Sequence, residues 1–261
     1  MQIRWKPLGL LAVLVVVILF ALLLAVFFWQ ATTIRKQSEY HRYHYDVSIS
    51  APALLANCTL LLPVPSIRNN SPPGDALVRG EGYNVPPGWM LSLEPVNGTP
   101  MLRISAPAIV AEYHGYPIPI EPGSTQSLTP APAATAWSEE TPVLIPIGFG
   151  VSLTVPEPID TRDPFGREPL LAPPESYIAA RCRGPSDTGQ CYRFSVPVSV
   201  SCSSGEGNLT LSISAGGTNQ WWMGGWSGNS CDETVIATVD DPRQGWVAGE
   251  GFLTTGTGRY S

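Results

Sequence analysis

The side chains in this chain that could do chemistry are few: three histidines, five cysteines and 21 carboxylates. His41 and His44 stand three residues apart. On a helix that spacing puts both imidazoles on one face, an arrangement able to hold a metal. No third ligand accompanies them, and packing among Tyr40, Tyr43 and Tyr45 explains the segment equally well. Acidic neighbours occur at Glu139-Glu140, Asp232-Glu233 and Asp240-Asp241, with Asp160 and Asp163 close behind. A calcium loop spaces its oxygen ligands around a glycine at the sharp turn, and none of these stretches does so. The paired carboxylates of a glycosidase must converge from separate elements, which spacing along the chain does not display. Gly225-Trp226-Ser227-Gly228-Asn229 approaches a nucleophile elbow but has asparagine in place of the second glycine. The alternation of strands and helices that such an elbow needs is also missing. We therefore expect no catalytic residue, no metal site and no cofactor.

The most informative local feature runs from Asn219 to Asn229, with three tryptophans and three glycines in eleven residues. Aromatic faces stack on sugar rings or cover apolar partner surfaces, and amides beside them can bond hydroxyls. On a strand Trp221 and Trp222 would face opposite sides, so one of them belongs to a core. The expectation is an exposed ligand-binding patch made by Trp222 and Trp226, for a glycan or a protein. Core packing and a loop touching the membrane are the competing uses of the same rings.

Cysteines lie at 58, 182, 191, 202 and 231. An odd count leaves one unpaired within the chain. No C-x-x-C spacing occurs, which speaks against zinc. Loop length favours Cys182–Cys191 around a turn-rich tip, after which Cys202–Cys231 is the next pairing and Cys58 remains as a buried apolar side chain.

These residues need something to position them. Positions 8–29 hold no charged or strongly polar side chain. As a helix they span roughly 33 Å, enough for a hydrocarbon core of about 30 Å. A lone span can satisfy its backbone only as a helix. Trp5 before the run and Phe27, Phe28 and Trp29 at its far end suit the aromatic preference of membrane interfaces. The run is too long for a signal-peptide core and ends without small residues, so a retained anchor is expected rather than a cleaved leader. The reading is a cytoplasmic tail at 1–7, a transmembrane helix at 8–29 in contact with membrane lipid and a juxtamembrane segment at 30–45, able to continue the helix for a few turns. An extracytoplasmic β-rich domain then fills 46–261. Flanking charges are nearly balanced, with Arg4 and Lys6 against Arg35, Lys36 and Arg42. Paired cysteines and four glycosylation acceptors, Asn57, Asn69, Asn97 and Asn208, tip the domain outward.

Beyond position 45 strand-like runs recur at 45–50, 58–64, 90–94, 101–105, 143–155, 192–202, 208–215, 234–239 and 251–255. They are separated by turn formers from a chain holding 25 glycines and 27 prolines. The runs 192–202 and 208–215 alternate with period two and read as a hairpin, with Pro197 marking an edge or a bulge. Positions 121–141 read as a long loop. Two one-sided sheets bury their apolar faces against each other, so the fold class is mainly β, an antiparallel β-sandwich-like domain behind a transmembrane helix. After Lys36 there are 11 arginines, no lysine and all 21 carboxylates, a balance that repels nucleic acid.

This plan, with stretches such as Leu60-Leu61-Leu62-Pro63-Val64-Pro65, Asn84-Val85-Pro86-Pro87-Gly88-Trp89 and Met101-Leu102-Arg103-Ile104-Ser105, resembles archaeal single-pass membrane surface proteins. The resemblance implies no activity and no functional residues. The expected role is a non-catalytic envelope, adhesion or ligand-binding module. An accessory subunit of a membrane or surface-filament complex and an extracytoplasmic enzyme acting on glycans or peptides are the alternatives.

Overall fold

The computed structural model describes residues 6–116, 133–182, 189–205, 207–243 and 245–260, with side chains from Val13 onward. It opens on one long helix, α1 (Lys6–Ser38). Between Leu10 and Trp29 no proline, glycine or polar side chain interrupts the backbone ladder. Thr32 and Thr33 then fold their hydroxyls back onto the Trp29 carbonyl, 2.8 Å away in each case. Arg35 and Lys36 sit in the last turn, where the helix dipole favours cations. Within Val13–Ser38 the most apolar 18-residue window has a mean hydropathy of 2.9, and no protein surface covers it. The helix is therefore long and apolar enough to cross a membrane, and immersion in lipid removes the cost of holding that surface in water.

A single residue, Glu39, separates α1 from the first strand, β1 (Tyr40–Ser50). Helix thus continues into the juxtamembrane segment only as far as Ser38. From Tyr40 onward the backbone has a partner, pairing residue for residue with the strand that ends at Trp222, and that ladder outcompetes further helix.

Most of the domain is one curled antiparallel sheet. Its strands, besides β1, are β2 (Leu55–Pro63), β3 (Met90–Val96), β4 (Thr99–Ile109), β8 (Ile147–Val155), β9 (Ile178–Ala180), β10 (Gln190–Ser201), β11 (Leu209–Trp222), β12 (Trp226–Val239) and β13 (Gly245–Gly258). The order is β3-β4-β2-β10-β13-β12-β11-β1-β8, with β9 pairing β10 off this path. A small second sheet orders β6 (Ala133–Ala134), β5 (Glu112–His114) and β7 (Val143–Ile145) as β6-β5-β7. The period-two pattern decides which face turns inward. Leu209, Leu211, Ile213 and Ala215 of β11 are buried, as are Val235, Ala237 and Val239 of β12 and Tyr45, Val47 and Ile49 of β1. The two halves of the curl pack these faces together, which makes the domain sandwich-like.

Both free edges are managed. A short helix, α2 (Pro72–Val78), packs against edge strands β3 and β8. Ser71 caps it by accepting the Gly74 N–H at 3.1 Å, and Pro72 opens it. At β8, Tyr83 bridges Gly150 from outside. Only glycine fits there, because a Cβ on Gly150 would stand 2.6 Å from the Tyr45 carbonyl and 2.3 Å from the Asp46 carboxylate. The loop thereby covers an edge that would otherwise invite pairing with another chain.

Three sequence readings need correction. The runs 192–202 and 208–215 do not form a hairpin: β10 lies between β2 and β13, and β11 pairs with β12 and β1. The intervening turn is claimed instead by β2, where Ala56 and Ser204 form a bridge and Ser203 N–H donates to the Ala56 carbonyl. Pro197 falls in the stretch of β10 that neither β9 nor β2 pairs, which tolerates its missing donor. The run 143–155 is two strands, broken at Pro146. Of the expected loop 121–141, positions 121–132 lie outside the described residues, and 133–141 includes β6.

Candidate functional site

The sheet end adjoining α1 differs from the rest in both its outer surface and its interior. Outside, β11 and β12 end in the tight turn Met223-Gly224-Gly225, with Trp222 and Trp226 facing each other across the hairpin. Gly224 takes a φ of +73°, a conformation that suits glycine, and Met223 N–H bonds the Gly225 carbonyl at 3.0 Å. Strand alternation sends Trp221 inward, where it is buried, and Trp222 outward. The Trp222 and Trp226 rings meet edge to face at 5.7 Å, and Tyr40 packs on Trp226 at 6.0 Å. Beside Trp226 lies a shallow open depression of about 390 Å³ lined by Gln220, Ser227, Ser230 and Thr257 among others. The two expected ligand-binding residues are therefore brought together at one end of the domain, next to the helix.

Inside the same end, the buried face changes from apolar to polar. Asn219 uses its whole hydrogen-bonding capacity. Its Oδ1 accepts from the Ile159 N–H at 2.9 Å and from His41 Nδ1 at 2.7 Å; its Nδ2 donates to the Ile159 carbonyl and to Asn229 Oδ1. Asn229 Oδ1 also accepts from Thr161, and Asn229 Nδ2 donates to the Arg259 carbonyl. The two amides thus hold the connecting segment at Ile159 and Thr161 inside the curl. Gly217 gives Ile159 its seat, since a Cβ there would come within 2.6 Å of it. Asn219→Ala is expected to cost roughly 2–4 kcal/mol, because several buried partners lose their bonds together. Thermal unfolding of the full chain in detergent measures this; an unchanged midpoint would show that water replaces the amide freely.

One turn further in, Glu233 is 1 % exposed. Tyr177 donates its hydroxyl to Oε1 and the Leu171 N–H donates to Oε2 at 2.9 Å. Burial dominates and pushes the carboxyl up to about 7, against the opposing pull of these two bonds. Tyr43 donates to Glu168, and burial raises its phenol likewise. Cys231 is the neighbouring inward residue on β12, buried and free, with its thiol pushed up to about 12 by desolvation. A thiol, a phenol and a carboxyl are thus close together, but no substrate can reach Glu233 or Cys231, and the thiol stays protonated at neutral pH.

The cysteines depart from one expected link. Cys182–Cys191 forms, with 5.3 Å between Cα atoms. The second disulfide is Cys58–Cys202, not Cys202–Cys231. Cys202 follows the end of β10, and β10 pairs with β2, which carries Cys58; Cys231 lies mid-strand on β12, inward and two strands away. Alkylation separates the pairings: native protein should give no labelled thiol, unfolded unreduced protein one, at Cys231, and reduced protein five. A label on Cys58 after unfolding without reductant would restore the other pairing.

The remaining candidates scatter. His41 and His44 lie on a strand rather than a helix, so they take opposite faces: His41 is buried on Asn219, and His44 approaches Asp232 at 3.9 Å. Asp232 and Glu233 split the same way, one exposed and one buried. Asp160 pairs with Arg167, and Asp241 with Arg243. Among the described residues no group of three His, Cys, Asp or Glu side chains is placed to hold a metal ion. Asn57, Asn69, Asn97 and Asn208 are all exposed, the first three with positive φ. Sequence reading missed the Asn219–Asn229 clamp and the burial of Glu233; the only signal was their place on the inward phase of two strands.

No family model, no curated protein and no solved structure matches this chain.

Proposed function

We propose that this chain is a membrane-anchored, non-catalytic surface module, with α1 held in a bilayer and the β domain presented on the non-cytoplasmic side. The observation that carries the reading is the direct coupling of an uncovered apolar helix to a disulfide-bonded β domain through one residue, Glu39. Disulfides persist in oxidising compartments, and four exposed sequon asparagines suit the same side. The outward aromatic pair Trp222 and Trp226 is the surface on which such a module would meet other molecules.

Topology tests this directly. Thr238 is exposed on β12 at the end far from the helix. In sealed cells a membrane-impermeant maleimide should label a Thr238→Cys variant, and should reach a Gln2→Cys variant only after permeabilisation. The reverse pattern would place the domain in the cytoplasm and end the surface reading. Co-purification of a stoichiometric partner in mild detergent would instead favour an accessory subunit.

A further inference from the structure

The aromatic hairpin tip lies beside the helix that leads into the membrane, and the register fixes which way it points. β1 leaves α1 at Tyr40 and runs away from it; β11 is antiparallel to β1, with Tyr40 opposite Gln220. Beyond Gln220, β11 therefore runs back along the helix towards the lipid. Two contacts locate its end: the Trp222 N–H donates to Ser38 Oγ at 2.8 Å, and the Arg35 guanidinium lies 5.2 Å from the centre of the Trp221 ring. Ser38, which holds Trp222, is nine residues past Trp29, about 13.5 Å along a helix. Arg35 beside Trp221 is six residues past it, about 9 Å, so the long side chains of the tip must reach down to meet the headgroups. The headgroup layer adds roughly 5–7 Å to each side of the hydrocarbon core. The turn at Met223 hangs at least one strand residue, about 3.3 Å, nearer the bilayer than Trp222.

What protrudes there is apolar and aromatic. Met223 and Trp226 are 62 % and 63 % exposed and Trp222 39 %, at the tip of a hairpin whose other outward residues, Ile236 excepted, are polar or small. Arg42 stacks over Tyr40 at 5.3 Å just above them. Tryptophan and tyrosine with arginine at the polar side is the composition that membrane interfaces favour. A glycan or soluble protein would have to enter between this tip and the headgroups.

We infer that Trp222, Met223 and Trp226 insert into the headgroup layer of the leaflet from which α1 emerges, as a second membrane contact that holds the domain in one orientation. The inference rests on α1 being the anchor. Two points of attachment, the helix at Ser38 and the hairpin beside it, remove the swivel that a single connection would leave. The outer surface far from the tip then faces away from the membrane.

Nitroxide labels on the full chain in phosphatidylcholine nanodiscs test this by collision with oxygen, which partitions into lipid, and with a nickel chelate, which stays in water. Labels go on Met223→Cys, on Leu19→Cys at the middle of the span and on Thr238→Cys at the far end; Cys231 is buried and does not compete. The oxygen-to-nickel ratio at Met223→Cys should fall between the other two, several-fold above that at Thr238→Cys. Adding Trp222→Ser and Trp226→Ser should return it towards the value in water. A ratio at Met223→Cys equal to that at Thr238→Cys, with Leu19→Cys reading bilayer centre, would overturn the inference and leave the tip free for a soluble ligand. If Leu19→Cys also reads water, the anchor itself is wrong and the inference goes with it.

Discussion

The double variant Cys58→Ser, Cys202→Ser should lose about 5 kcal/mol of unfolding free energy on the chain-entropy model, the largest effect of any change considered. The link joins positions 144 residues apart, and closing a loop of that length removes much of the denatured chain's freedom. Breaking Cys182–Cys191, nine residues apart, should cost nearer 3 kcal/mol on the same model. Guanidinium titration of the full chain in detergent, followed by the β-sheet signal, measures both. The midpoint should fall and the slope should steepen, since a denatured chain without the cross-link exposes more surface. The long link also staples β2 to β10, the junction where the curl passes between strands distant in sequence. An unchanged midpoint would mean that the denatured state keeps these strands together without sulfur.

Stability should also fall as pH rises from about 4.5 to about 7, and Glu233→Gln should remove that slope. The carboxyl of Glu233 titrates near 7 in the fold against an ordinary 4.5, because burial disfavours its charge. A raised acid binds its proton more tightly when folded. The resulting stabilisation is complete below the unfolded value and is lost as pH climbs through the folded one. At 1.36 kcal/mol for each tenfold change in proton affinity, the loss is roughly 3 kcal/mol. Glutamine keeps the shape without the charge, so the variant should match the wild type near pH 5 and exceed it near pH 8. Asp160 and Asp241 shift the other way, held down by hydrogen bonds and their arginine partners, and act only below this window. A slope that survives in Glu233→Gln would assign it to another group.

Interior and tip depend on each other. The clamp of Asn219 and Asn229 sits on the inward phase of the same two strands that carry Trp222 and Trp226 outward, a few residues from the turn. Loosening the clamp should therefore blunt the tip as well as the core. Glu233 and Cys231 extend the polar interior without opening it to solvent, and Glu233 ties the stability of the fold to pH.

The sequence by itself determined the helix, because twenty-odd apolar side chains without a break make it long and apolar enough to cross a membrane, whatever the rest of the chain does. It also determined the β class and the inward phase of β10 and β11, since alternation is a local property of the strand. Tertiary structure alone decided which strands are neighbours. β10 and the start of β11 are separated by seven residues in the chain but by β13 and β12 in the sheet, and pairing energy does not depend on sequence distance. The sulfur partners followed from that choice: Cys58 meets Cys202 only because β2 lies against β10. The same holds for the tryptophans. Their exposure is written in a local alternation, but their place beside α1 depends on β11 pairing with β1, the strand that leaves the helix.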